Sequence, residues 1–216
     1  MQTRRNRRRT RKRGGKVLGE GHAAKTYDPP IQCKDGRNMS GYVTRVVKDG
    51  DRDELLTTWN PEIIERLKRI DPDQRYFYYP QYCEPGELTD ENRADGITDE
   101  SKQVSEYVKK GYGTIGPRVF ERRNWVEYFL GRKNWINKNQ KFQGMMDHLV
   151  EAVELLHKNK IAHGDIWGDN IIIAQDNLPR IIDFGEATIN PPKWRLNSEL
   201  KYVKRLASGY TPTSVN

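Results

Sequence analysis

The sequence predicts an α+β fold, with a strand-rich N-terminal body followed by a helical C-terminal part. Three observations predict it. β-branched and aromatic runs interrupted by Gly and Pro fill much of residues 14–83. Apolar residues at helical spacing dominate 142–158. Short isoleucine runs at 171–173 and 181–182 then bracket a polar loop and end on a carboxylate.

Lys16 to Tyr27 reads as strand, glycine turn, strand, and 28–41 as a Pro/Gly-punctuated connection. Tyr42 to Lys48 is β-branched and ends in lysine. Pro61 suits the first position of a helix capped by Asn60, whose apolar face is Ile63, Ile64, Leu67 and Ile70. Gln74 to Cys83 reads as an aromatic strand packed in the N-terminal body. Residues 84–106 carry eight Asp/Glu against two Lys/Arg and read as a surface excursion. Pro117 to Glu121 reads as another strand, and Trp125 to Leu130 as a short helix. The long helix over Phe142–Lys158 presents Met145, Met146, Leu149, Val150, Val153, Leu155 and Leu156. His148 and His157 on it read as packing or surface residues. Asn197 to Ala207 can form a last helix.

Charge is unevenly placed. Residues 1–16 carry nine Lys/Arg and no acid, against a net +8 for the chain, so the remaining 200 residues are nearly neutral. Residues 1–13 cannot bury a core and read as a disordered basic arm for targeting or for contact with nucleic acid or another polyanion. No apolar run approaches the ~20 residues of a membrane span, and the N-terminus lacks a secretory apolar region. Cys33 and Cys83 have no metal-site spacing. They read as incidental thiols of a reduced, intracellular protein, cytoplasmic or nuclear.

The chemistry concentrates at His163-Gly164-Asp165-Ile166-Trp167-Gly168-Asp169-Asn170 and at Ile181-Ile182-Asp183-Phe184-Gly185. One carboxylate stands five residues before an amide and eighteen before a second carboxylate. Such a set suits phosphoryl transfer: one Asp takes the proton of an attacking hydroxyl, while Asn and the second Asp are hard oxygen donors for Mg²⁺ at the ATP phosphates.

The pattern resembles the protein-kinase-like superfamily, whose catalytic loop reads H-R-D-x-x-x-x-N and whose metal motif reads D-F-G. The resemblance implies a bilobal fold with a β-rich small lobe over 14–121 and a truncated helical large lobe over 122–216. It implies ATP and Mg²⁺ as cofactors, Asp165 as catalytic base, and Asn170 and Asp183 as metal ligands. His163 would tie the loop to the Asp183-Phe184-Gly185 segment, with Phe184 packed beneath the site. Gly19-x-Gly21 matches the start of a phosphate-covering glycine turn, although Ala24 replaces its third glycine and Thr26 its valine. Lys48 matches the strand lysine that neutralises the α- and β-phosphates. A helical glutamate would pair with it; Glu62 is the choice, with Glu65 and Glu54 left open. The strand at Pro117–Glu121 would lead into the adenine-binding hinge.

The departures are informative. Gly164 replaces the arginine that receives an activation-loop phosphate, which argues against that mode of control. Trp167 replaces the lysine that supports the transferring phosphate in Ser/Thr kinases. H-G-D with D-F-G-E-A is similar to aminoglycoside- and choline-kinase-like phosphotransferases and to the compact kinase/ATPase of the KEOPS complex. The Lys12–Lys16 lead-in and Tyr27–Pro30 resemble kinase-like proteins of large DNA viruses, which would place the chain in an infected host cell. Only 31 residues follow Gly185, without an A-P-E motif, so an anchored activation segment is not expected. Three readings follow: an atypical Ser/Thr protein kinase with a protein acceptor, a small-molecule phosphotransferase, and a non-catalytic or weakly ATP-hydrolysing binding module.

Overall fold

The structure, a computed structural model, describes residues 16–20, 24–47, 60–94, 96–99, 105–111 and 135–208. Strands and helices both occur, as an α+β fold requires. The chain divides into two compact units, Met1–Asp49 with Tyr82–Tyr107, and Gly50–Gln81 with Val108–Asn216.

The first unit is built on strands β1 (Lys16–Glu20), β2 (Ala24–Asp28) and β3 (Tyr42–Val47), antiparallel in order. Strand β4 (Ser105–Lys109) completes the sheet beside β3. An ion pair of 2.5 Å joins Arg45 of β3 to Glu106 of β4. Glu106 is buried, so the partner charge keeps its carboxylate from being stranded in the interior. A small core of Tyr27, Ile31, Val46, Leu88 and Ile97 lies in this unit. The acidic stretch is therefore only partly a surface excursion. It includes helix α2 (Asp90–Ala94) and sends Leu88 and Ile97 inward.

Cys33 and Cys83 form a disulfide with Cα atoms 5.7 Å apart. This corrects the reading of two incidental thiols. Lys34 N donates to Glu84 O (2.8 Å) and Gly86 N to Gln32 O (2.7 Å), so two extended segments run side by side and present the sulfurs to each other. A separation of 50 residues hides such a pairing from any local pattern.

The second unit holds the main core. Helix α1 (Pro61–Ile70) starts as the sequence predicts: the Asn60 side chain accepts from Glu62 N, and Pro61 occupies the first turn. Its apolar face buries Ile63, Ile64 and Leu67. At its C-terminal end Asp71 is buried and accepts from the amides of Arg75, Tyr76 and Phe77 at 2.7–2.9 Å. Three donors on one carboxylate turn the chain back on itself. Residues 74–81 are consequently no regular strand of the first unit. Phe77 and Tyr79 lie in the second unit's core, and Phe77 makes a parallel bridge to Ile181.

Helix α3 (Trp135–Lys158) begins seven residues before the sequence-predicted start, and Met145, Leu149, Ala152, Val153 and Leu156 form its buried face. After it come β5 (Ile161–Ala162), the hairpin of β6 (Ile171–Ile173) and β7 (Pro179–Ile181), β8 (Thr188–Ile189), and helix α4 (Lys193–Ser208). Strands β5 and β8 pair antiparallel, as do β6 and β7. Ile171, Ile173 and Ile181 are fully buried, which explains continuous isoleucine where a half-exposed strand would alternate. The expected strand at 117–121 and helix at 125–130 lie outside the described residues, as does the basic arm.

Candidate active site

The β6–β7 hairpin assembles the polar site. Its register pairs Ile171 with Ile181 and Ile173 with Pro179. One step beyond, Ile182 N donates to Asn170 O at 2.9 Å. The ladder therefore brings Asn170, entering β6, level with the residue just before Asp183, leaving β7. Asn170 and Asp183, thirteen positions apart in sequence, are thereby brought to the same end of the hairpin, because the buried isoleucines admit no other register.

Asp165 precedes a short 3₁₀ turn, Gly168–Asn170. Asn170 Nδ2 donates to Asp165 Oδ2 and to Asp165 O, both at 2.8 Å. Those two bonds fix the carboxylate's rotation, hold one of its oxygens, and leave Asn170 Oδ1 turned away from Asp165. Asp183 is exposed and has φ +60°, a left-handed conformation uncommon outside glycine. Such strain persists where surrounding structure imposes it, and it clusters at functional positions.

His163 is fully buried and joins the two motifs. Its Nε2–H donates to Ile182 O at 2.9 Å, and its Nδ1 accepts from Asp165 N at 3.2 Å. The carbonyl can only accept, so the ring is the neutral Nε2–H tautomer. Burial pushes its pKa below the ordinary imidazole value, against the opposing pull of the Ile182 carbonyl. Phe184 packs on the same ring, centroids 4.8 Å apart.

Sequence reasoning missed a second tier of contacts. Glu199 of α4 accepts from Gly164 N (2.6 Å), His163 N (3.3 Å) and His157 Nε2 (2.8 Å). Burial acts to raise its pKa, but the hydrogen bonds from His157 and Gly164 outweigh that and leave it lowered. The signal was present: Glu199 is the one acid in a helix of five Lys/Arg. Gly111 was also missed. A Cβ there would meet Ile173 O at 2.5 Å and the Ile172 side chain at 2.6 Å, so the chain leaving β4 passes too close to β6 for any side chain.

Asp165, His163, Asn170 and Asp183 thus come together within the second unit. Gly19 stands in β1 of the first unit, opposite Thr26 at a bulge. Glu62 is exposed on α1 and pairs with Arg66 at 2.7 Å. Lys48 and Gly21 lie outside the described residues. Trp167 is 59% exposed beside the loop and tilts against Tyr202 of α4, centroids 5.4 Å apart.

Among the described residues no group of three or more His, Cys, Asp or Glu forms a self-sufficient metal cage. An amide oxygen and a carboxylate are the donor types that suit Mg²⁺, which commonly takes one or two protein oxygens and completes its shell with water and phosphate. No described helix is long and apolar enough to cross a membrane.

Residues 118–203 match the family described as the protein kinase domain. A protein of Acanthamoeba polyphaga mimivirus named as a serine/threonine-protein kinase is 41% identical over 64 residues, 30% of this chain and 11% of the relative. Dual specificity protein kinase zak2 of Dictyostelium discoideum is 33% identical over 66 residues, covering 31% and 10%. An Aurora kinase of Saccharomyces cerevisiae is 40% identical over 47 residues, covering 22% and 13%. The chain thus matches about a tenth of the length of these curated relatives. The matches support a place in the protein-kinase-like superfamily.

Proposed function

We propose that the chain is an ATP- and Mg²⁺-dependent phosphotransferase, an atypical protein kinase whose acceptor is a Ser or Thr hydroxyl. The observation that supports this reading is the Asp165–Asn170 hydrogen bond together with the Asn170–Ile182 ladder step, which orients one carboxylate and brings Asn170 level with the residue before Asp183.

Asp165 receives the acceptor. With Oδ2 held by Asn170, Oδ1 is the oxygen that takes the hydroxyl's hydrogen bond and then its proton, as the acceptor oxygen bonds to the γ-phosphorus and the γ-phosphorus–oxygen bond breaks to release ADP. Little basicity is required, because phosphoryl transfer depends mainly on alignment and charge neutralisation. Asn170 Oδ1 and the Asp183 carboxylate would hold Mg²⁺, which neutralises phosphate charge when bound. His163 stays neutral and keeps the loop and the Asp183 segment in register. Lys48 is assigned to the α- and β-phosphates, Gly19 and Gly21 to the turn over them, and Glu62 to the lysine, all by sequence position. The basic arm is assigned to a polyanion.

Trp167 favours a second reading, a kinase-like binding module with slow ATP hydrolysis, because an indole replaces a phosphate-supporting cation. Gly164 and Glu186 favour a small-molecule acceptor. ADP release from Mg-ATP by the full chain, beside Asp165→Ala and with intact-mass analysis, separates them. Loss of turnover in the variant, with phosphate on the protein or an added protein, supports the kinase. Turnover without phosphoprotein favours a small acceptor or hydrolysis, and no turnover above the variant favours the binding module.

A further inference from the structure

Gly164, itself exposed, lies against two residues one turn apart on α4. Its N–H is held by Glu199, and on the other side a Cβ would collide with Arg195 Nη2 and with Glu186 O. Its φ of +89° is also a glycine conformation. Arg195 Nη2 in turn donates to Glu186 O at 3.1 Å. Arg195 and Glu199 stand four positions apart on α4, so they share a face one turn apart.

The base on this face grips the segment that follows Asp183, and the acid grips the loop that carries Asp165. Gly164 adjoins Asp165, and Glu186 lies three residues beyond Asp183. Holding both points on one rigid helix restrains the distance between the two carboxylates.

We propose that Arg195 is a positioning residue, setting the Asp183–Glu186 segment against the Asp165 loop by filling the space that a side chain at 164 would take. The inference rests on the phosphotransferase reading for its kinetic consequence and on geometry alone for its structural one. It also accounts for the missing arginine in the loop motif. A guanidinium stands beside position 164 after all, delivered from α4 and donating to a backbone carbonyl of the segment that follows Asp183.

The test uses the full chain with Arg195→Ala and Arg195→Gln, the second keeping a polar side chain that is uncharged and ends short of the guanidinium's reach. Amide hydrogen exchange is read at Ala187, whose N–H donates to Phe184 O at 3.1 Å, with the buried helix residue Val153 as the folding reference. Losing the Arg195 donor to Glu186 O, one residue before Ala187, is expected to speed Ala187 exchange about tenfold in both variants while Val153 is unchanged. Turnover should fall about tenfold with KM for Mg-ATP moving less than about threefold, the split expected when alignment is lost and nucleotide binding kept. Arg195→Lys, which can reach one carbonyl, should restore part of both. Ala187 exchange within about twofold of wild type in the variant that keeps Val153 protected would overturn the proposal. If the wild-type chain turns over no ATP, the phosphotransferase reading fails, and the exchange result still decides the role of Arg195.

Discussion

Phe77 and Phe184 meet edge to face, ring centroids 5.8 Å apart and planes at 88°. One follows α1 and the other follows Asp183, and His163 packs on the second ring. An apolar column thus runs from the main core to the back of the site, where Phe77 has no exposed surface and Phe184 only 6%.

Shortening that column should cost both stability and activity. Phe184→Ala removes a buried ring and is expected to destabilise by about 3 kcal/mol. Phe77→Leu keeps a branched apolar side chain, only somewhat smaller, and loses the edge-to-face contact, about 1 kcal/mol. Urea midpoints for the two variants check the order, and a smaller loss in Phe184→Ala than in Phe77→Leu would contradict the packing described.

Asn170→Ala should lower turnover about 10–100-fold and raise the Mg²⁺ concentration for half-maximal rate, because it frees Asp165 and removes the oxygen proposed to hold Mg²⁺. The rate as a function of free Mg²⁺ reads both effects. A lower rate with unchanged Mg²⁺ dependence would confine Asn170 to orienting Asp165.

Glu199→Ala leaves the His163 and Gly164 amides without an acceptor and is expected to cost about 2–4 kcal/mol in thermal or urea unfolding. Glu199→Gln, which keeps one acceptor oxygen, should cost less.

Acid should weaken the fold in two stages. His148 is buried; its Nε2–H donates to Arg75 O at 3.0 Å, so no lone pair there remains for Arg180. Burial lowers its pKa, so as pH drops below about 6.5 the unfolded chain binds a proton that the folded chain refuses, and stability falls by up to about 1.4 kcal/mol per pH unit. Glu199, also lowered, contributes stability that is present above its ordinary pKa near 4.5 and lost as pH falls through the folded value. Unfolding free energy between pH 7 and 4 checks this, and His148→Gln should flatten the slope in the upper half of that range.

Reduction should destabilise the first unit. In the chain-entropy picture, a disulfide closing a loop of this length contributes about 4 kcal/mol. Cys33→Ser with Cys83→Ser, or dithiothreitol on the wild type, should lower Tm by several degrees, and an unchanged Tm would mean that the disulfide adds no net stability.

The sequence by itself determined what local physics can determine. Pro61 after Asn60 starts α1, helical spacing selects the buried face of α3, and the order of Asp165, Asn170 and Asp183 marks the polar loop and its hairpin, because capping, periodicity and motif spacing act within a few residues. Tertiary structure decided the rest. Residues 74–81 look like a strand of the first unit, yet Asp71 turns them into the second unit's core. Cys33 finds Cys83 across 50 residues, and Glu199 and Arg195 reach a loop some thirty residues earlier to hold Gly164. Each of these depends on which surfaces meet once the chain has collapsed, and that is settled by the packing of the whole core rather than by any neighbouring residue.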